Sequence, residues 1–156
     1  MSDQDGNDLL DACYEGDIRR ARSSGTSVNY EDDETGTTPS IQCCFDGHLR
    51  ILQYLIDRGA NINKANVKGC TALYIAAQNN RDQCLVTLLE HGAEADITSE
   101  SGATPLCIAA EYNSHQCVSN LLQKGADPNL ARNDGVTPLH FAAQRNHPQC
   151  ISLLLQ

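Results

Sequence analysis

Apolar residues along this chain come in paired short runs separated by polar, glycine-rich stretches. The clearest unit extends from Gly102 to Asp134, GATPLCIAAEYNSHQCVSNLLQKGADPNLARND. Its first run, Leu106 to Ala110, follows Thr104-Pro105. A threonine there predicts a helix cap, its hydroxyl accepting from a free backbone N–H, and proline suits the first helical position because its missing N–H costs nothing. The second run places Cys117, Val118, Leu121 and Leu122 at the i, i+1, i+4, i+5 spacing of a helix with one buried stripe. A turn at Asn113–Ser114 joins the two helices, Gly125 ends the second in the left-handed conformation, and the polar stretch from Ala126 to Gly135 predicts a projecting hairpin or β-turn. Ala109 and Ala110 are small enough to let a neighbouring helix approach closely.

The unit recurs. Gly36, Gly69, Gly102 and Gly135 are each 33 residues apart, as are Thr38, Thr71, Thr104 and Thr137; Gly59, Gly92 and Gly125; and Cys84, Cys117 and Cys150. One helical pair cannot bury its own apolar faces, but stacked neighbours can, so a repeat array follows. A thin core of Ala, Leu, Ile and Cys also explains why aromatics make up only 4% of the chain, with no Trp.

On these residues the chain resembles the ankyrin repeat. The matching strings are G-C-T-A-L-Y-I-A-A from Gly69, G-A-T-P-L-C-I-A-A from Gly102 and G-V-T-P-L-H-F-A-A from Gly135, with L-L-E-H-G-A from Leu88 and L-L-Q-K-G-A from Leu121. The expected fold is all-α, a single solenoid of stacked helix–turn–helix units with projecting β-turn or hairpin tips over residues 1–156. Repeats are read at 34–66, 67–99 and 100–132, with a C-terminal repeat at 133–156. Residues 5–33 form a degenerate N-terminal capping repeat, since Gly16 and Gly25 are 9 apart where Gly47 and Gly59 are 12 apart, about one helical turn short. Other departures are Ser40 in place of leucine, Ala72 in place of proline, and Cys43-Cys44 in place of Ala-Ala. The last unit stops at Gln156, before the Lys-Gly-Ala the register predicts, leaving Ile151, Leu154 and Leu155 uncovered and Leu153 where Asn120 stands one unit earlier. That end reads first as the cut edge of a longer protein, with a partner covering it or a frayed terminus as the alternatives.

The resemblance implies a cupped shape whose concave face, built from the tips and the first helix of each unit, binds a protein partner. The corresponding tip positions are Glu34, Thr35 and Thr37; Val67, Lys68 and Cys70; Glu100, Ser101 and Ala103; and Asn133, Asp134 and Val136. The ends of the first helices add Phe45 and Asp46, Gln78 and Asn79, Glu111 and Tyr112, and Gln144 and Arg145. These vary between units while the framework does not. Phe45, Tyr112 and Arg145 are the expected anchors, because aromatics and arginine dominate binding hot spots. The resemblance also implies a modification, hydroxylation of a hairpin asparagine. Asn129 matches that pattern best, Asn63 less well, and Asp96 shares the register; against this, Asn and Asp side chains commonly brace turns. A rival reading makes the chain the substrate-recruiting or scaffold segment of a larger protein, such as a ubiquitin-ligase adaptor.

Charge and chemistry narrow the picture. The net charge is −9, and residues 1–35 hold ten acids, including Asp3 and Asp5, against Arg19, Arg20 and Arg22. Such a chain repels phosphate backbones and anionic membranes and attracts basic surfaces. Neither a nucleic acid nor a membrane is an expected partner. No apolar run approaches the ~20 residues of a membrane span, no signal peptide is visible, and no glycosylation sequon occurs. A cytoplasmic or nuclear monomer that is not secreted is the expectation. The eight cysteines read as buried free thiols, because helix axes about 8–10 Å apart hold register-related cysteines too far apart for the ~7 Å Cα limit of a disulfide. Cys70, at a tip, is the thiol expected to react first, were the cysteines to sense oxidants. The histidines His48, His91, His115, His140 and His147 make no zinc spacing. His140 is expected to make a structural hydrogen bond near its turn, and His48 and His147 to start second helices. Phosphate-binding loops, nucleophile elbows and carboxylates in apolar settings are all lacking, so the chain reads as no enzyme and as needing no cofactor.

Overall fold

The computed structural model describes residues 3–156, with side chains from Asp8 onward, so the Asp3 and Asp5 carboxylates lie outside the described residues. Ten helices follow one another, with no strand among the described residues. They are α1 (Asp3–Glu15), α2 (Ile18–Ser23), α3 (Pro39–Asp46), α4 (Leu49–Asp57), α5 (Ala72–Gln78), α6 (Asp82–Glu90), α7 (Pro105–Glu111), α8 (His115–Gln123), α9 (Pro138–Gln144) and α10 (Pro148–Leu154). The all-α solenoid expected from the repeat is the fold observed.

Local chemistry explains the boundaries. Thr38, Thr71, Thr104 and Thr137 each cap a first helix, their Oγ1 accepting from the backbone N–H three residues on at 3.2–3.4 Å. A proline occupies the first turn of α3, α7 and α9. His140 completes a capping box, its Nδ1 accepting from the Thr137 N–H at 3.2 Å. The turn between paired helices needs a left-handed residue. Gly16 and Gly47 supply it in the first two units, and Asn80, Asn113 and Asn146, at φ 54°, 59° and 57°, in the others. Asparagine is the side chain best suited to replace glycine there. Second helices close when the Ala60, Ala93 and Ala126 N–H groups donate back to Leu55, Leu88 and Leu121 at 2.9–3.0 Å.

First helices α1, α3, α5, α7 and α9 lie side by side in one row, and second helices α2, α4, α6, α8 and α10 in another. The core is the layer between and within these rows. Ala76, Ala77, Ala109 and Ala110 are fully buried where first helices meet, and Leu52, Leu55, Leu85, Leu88 and Leu121 where the rows meet. In the first unit α2 has 6 residues where α4, α6 and α8 have 9. Its missing turn leaves a cavity of about 380 Å³ lined by Leu9, Ala21, Arg22, Tyr54 and Arg58 along with the Ser24–Val28 loop.

Candidate functional site

The tips are compact turns that satisfy their own backbone. Within each, an N–H and a carbonyl pair across the loop: Asp32 to Thr37, Asn66 to Cys70, Ser99 to Ala103 and Arg132 to Val136, at 2.9–3.0 Å. Successive tips are also tied to each other. Val67 N–H donates to Thr35, Glu100 to Lys68 and Asn133 to Ser101, at 2.9–3.0 Å. These bonds bring the loops so close that a Cβ on Gly69 would sit 2.9 Å from the Glu100 nitrogen, and one on Gly102 would sit 2.9 Å from the Asn133 nitrogen. Both glycines also have positive φ, at 75° and 79°. Glycine is therefore required here by backbone conformation and by close approach together.

Polar side chains brace the same loops. Asn66 Oδ1 accepts from the Lys68 and Cys70 N–H groups, both at 3.0 Å. Asp32 accepts from the Thr35 N–H and hydroxyl at 2.8 and 2.7 Å, and these bonds, hydroxyl first, hold its carboxyl below the usual carboxylate range. Asp134 is gripped by the Arg132 guanidinium, which draws its pKa down to about 2. The surface left over is a row of side chains above a rigid edge.

Phe45 and Tyr112 stand exposed by 51% and 55% at the ends of α3 and α7, and Val67 by 58% at its tip. Arg145, just after α9, reaches back to the half-buried Glu111 carboxylate at 2.8 Å, so this anchor is already paired within the chain. Lys68, Glu100, Ser101, Asn133, Asp134 and Gln144 are exposed, and Asp46, Gln78, Asn79 and Glu111 half-buried. A cavity of about 280 Å³ opens between two tips, lined by Lys68, Cys70, Tyr74, Ser99, Glu100 and Ser101. Burial raises the Tyr74 phenol at its base to about 12.

Two tip positions depart from expectation. Cys70 and Ala103 are buried, not exposed. The chain turns inward at this point of each tip to enter the next helix, so Cys70 Sγ tucks beneath the loop, 3.8 Å from the Lys68 carbonyl. Burial raises its thiol pKa, which works against the reactivity expected of it. The register holds the signal: Thr37, Cys70, Ala103 and Val136, at one position of successive units, are all small. Tyr14, exposed by 66%, is a member of the row that the repeat register does not reveal. It stands two residues before the left-handed Gly16, as Phe45 stands two before Gly47, and so extends the same row by one unit.

Further features join neighbouring units. His48 Nε2 meets the Tyr14 carbonyl at 3.2 Å, Arg81 Nε donates to the Phe45 carbonyl at 3.2 Å, and His147 Nε2 meets the Glu111 carbonyl at 3.1 Å. Each starts a second helix and reaches the end of the preceding first helix. Ser114 holds the same place but is too short, and its buried hydroxyl has no hydrogen-bond partner among the described residues. Of the hairpin asparagines, Asn63 is engaged, its Oδ1 accepting from the Glu94 N–H at 2.9 Å, and Asp96 likewise takes the Asp127 N–H at 3.3 Å. Asn129 is exposed. Among the described residues no group of His, Cys, Asp and Glu could hold a metal ion, and no helix is long and apolar enough to cross a membrane.

A family model described as ankyrin repeats (3 copies) matches residues 9–99 and 91–156. The chain belongs to the ankyrin-repeat family. Ankyrin repeats are in general protein–protein interaction modules without catalysis. Among its relatives, the human SH3 and multiple ankyrin repeat domains protein 2 is 40% identical over 52 residues, 33% of this chain and 3% of that protein. The mouse protein fem-1 homolog A-like is 41% identical over 44 residues, 28% of this chain and 7% of that protein. This ankyrin array thus spans a small fraction of the length of either relative.

Proposed function

We propose that this ankyrin array holds a protein partner on its concave face, along the row of tips and first-helix ends, without catalysing a reaction. The observation that carries the reading is the contrast within that row. Its backbone is closed by tip-to-tip hydrogen bonds, and Gly69 and Gly102 leave no room for a side chain, yet Tyr14, Phe45, Val67 and Tyr112 stand exposed above it. Rigid elements carrying exposed aromatics lose little entropy when a partner docks. The acids Glu34, Asp46, Glu100 and Asp134 outnumber Lys68 and Arg145 along the row, which favours a partner with a basic surface. Phe45 and Tyr112 are the anchors, and Arg145 contributes once it exchanges Glu111 for a partner carboxylate.

The test compares captured partners of the intact chain, of the Phe45→Ala/Tyr112→Ala/Arg145→Ala variant and of a control, Arg50→Ala/Gln53→Ala, on the outer side of α4. A partner lost by the first variant and kept by the second supports the concave face. A partner lost only by the control moves the site to the second helices.

A further inference from the structure

The lost turn of α2 leaves a cavity with an unusual charge. Its volume of about 380 Å³ falls within the ~300–1,000 Å³ range of small-ligand sites. Arg22 and Arg58 both line it, and both stand over the Tyr54 ring, 5.7 and 5.4 Å from its centroid. Neither makes an ion pair among the described residues, whereas Arg20, Lys64, Arg132 and Arg145 all do. No Asp or Glu among the described residues lines the cavity. The acids of the two flanking helices are engaged elsewhere: Asp8, Asp11 and Glu15 hold Arg20, and Asp57 accepts from Gln53 Nε2 at 2.9 Å. In a chain of net charge −9, two cations without a counter-charge meet at one cavity. The repeat shows what is special here. The position of Tyr54 is Thr87, Asn120 and Leu153 in later units, so only the unit beside the shortened helix carries the ring that both arginines use.

We infer that this cavity binds a phosphoryl group, with Arg22 and Arg58 as its ligands and Tyr54 as the ring that positions them. A carboxylate offers two oxygens, which a single arginine fork satisfies. A phosphate monoester offers three terminal oxygens and about −1.5 to −2 charge at pH 7, enough for both forks and one further donor. Ser27, also in the lining, is that donor: its Oγ accepts from the Asn29 N–H at 3.2 Å, which leaves the hydroxyl proton to give. Leu9, Ala21 and Val28 supply an apolar wall that suits the carbon stem of an ester.

The ring contacts restrict both long side chains before any ligand arrives, which lowers the entropy lost on binding. The acidic charge of the whole chain opposes an anion only weakly at this point, because exposed charges beyond ~8 Å are screened at physiological ionic strength. The site stands on the second helices α2 and α4, not on the tips or the ends of the first helices, so it is separate from the row of Phe45 and Tyr112.

The experiment titrates the isotope-labelled full chain, at fixed ionic strength, with inorganic phosphate, capped phosphotyrosine, capped tyrosine and acetate, and follows NMR shifts. Both phosphates should give saturating shifts at Arg22, Ser27 and Arg58, and capped tyrosine none. Phosphotyrosine binding about ten-fold tighter than phosphate, which is ~1.4 kcal/mol, supports a phosphorylated side chain as the source; equal binding supports the free anion. Arg22→Gln and Arg58→Gln should each weaken binding about ten-fold. Arg50→Gln removes the same charge from an exposed place on α4 outside the cavity and should change nothing. Tyr54→Thr, the residue of the next unit, should weaken binding although both arginines remain, and Tyr54→Phe should keep it. Helical circular dichroism of each variant verifies folding. No saturation below ~10 mM phosphate, ten times a 1 mM Kd, overturns the inference. So does acetate binding as tightly as phosphate, which marks a single-fork carboxylate contact, or an Arg50→Gln loss equal to that of Arg22→Gln, which marks net charge alone.

Discussion

The first and the central helical pairs solve the same packing problem with different means. In the pair α7/α8 nearly every stabilising group is apolar: Leu106, Ile108, Ala109, Ala110, Cys117, Val118 and Leu121 are all buried between neighbours on both sides. The pair α1/α2 has lost a turn of its second helix and, among the described residues, buries Leu9, Ala12, Cys13 and Ala21. Charge stands in for the missing apolar area. Arg20 on α2 reaches three acids of α1, Asp8 at 2.6 Å, Glu15 at 2.9 Å and Asp11 at 3.5 Å. Arg22 and Arg58 flank the Tyr54 ring at 5.7 and 5.4 Å beside the cavity that the lost turn leaves. Some of the acidic N-terminal charge is therefore matched within the chain. A central unit draws its stability from burial, which salt does not screen, and the first unit draws more of it from ionic contacts, which salt weakens.

The largest effect that could break this comparison is a core truncation. Leu121→Ala, at a fully buried position of α8, should cost about 2–5 kcal/mol, through lost burial and the cavity it leaves. Ile18→Ala on α2, where the side chain is half-buried, should cost about 1 kcal/mol. Urea unfolding of both variants checks this. Equal losses would mean that the first unit is as well packed as the central one, and the contrast would fall.

Next in size is a glycine pair. Gly102→Ala meets the Asn133 side chain, and the Asn133 nitrogen at 2.9 Å, at φ 79°. Gly25→Ala, in the first unit at φ 67°, meets nothing within 4 Å. Both lose about 1–2 kcal/mol to the left-handed backbone, and only the first must also push neighbouring tips away from each other. Thermal melts should place Gly102→Ala clearly below Gly25→Ala. A smaller loss at Gly102 would show that the tip ladder yields easily and is no rigid edge.

How far these features are legible in the amino-acid sequence depends on whether the repeat preserves them. The 33-residue period locates the caps, the turns and both helix rows, because Gly69, Thr71 and their equivalents serve packing in every unit alike. The row containing Phe45 and Tyr112 follows from the same register. Tyr14 escapes it because Gly16 and Gly47 are 31 residues apart, so the shortened unit falls out of step with the rest. Cys70 defies the expectation of exposure because a place in a loop does not by itself turn a side chain outward, and its small counterparts Ala103 and Val136 are the sign of an inward position. The bond from Arg81 to the Phe45 carbonyl is beyond reach of periodicity. It joins two positions 36 residues apart, and periodicity relates a residue only to its equivalent, never to a neighbour in a different place of the unit.

A smaller effect separates the units by salt. Arg20→Ala removes the link from α2 to Asp8, Asp11 and Glu15. The variant should melt slightly below the parent at low ionic strength and together with it near 1 M salt, where the screening length is about 3 Å. A difference that persists at high salt would assign the role of Arg20 to packing by its aliphatic stem and not to charge.

The smallest effect sharpens the comparison at the two outermost tips. Asp32 is held by the hydroxyl and N–H of Thr35, both neutral donors, and Asp134 by the Arg132 guanidinium. Both carboxyls are held below their ordinary value, Asp134 at about 2. For a group depressed in the folded state, the stabilisation is complete above the unfolded pKa of about 3.9. It is then lost as pH falls through the folded value, so for Asp134 the loss runs from about pH 4 to about pH 2. Carboxyl resonances followed by NMR should show Asp134 titrating late, and Arg132→Gln should return it to the ordinary range. Added salt should raise the Asp134 midpoint and leave Asp32 where it is, since a screened ion pair weakens and a neutral hydroxyl bond does not. If both midpoints rise together, Asp32 is held by the field of the chain and not by Thr35, and Thr35→Val would then leave its titration unchanged.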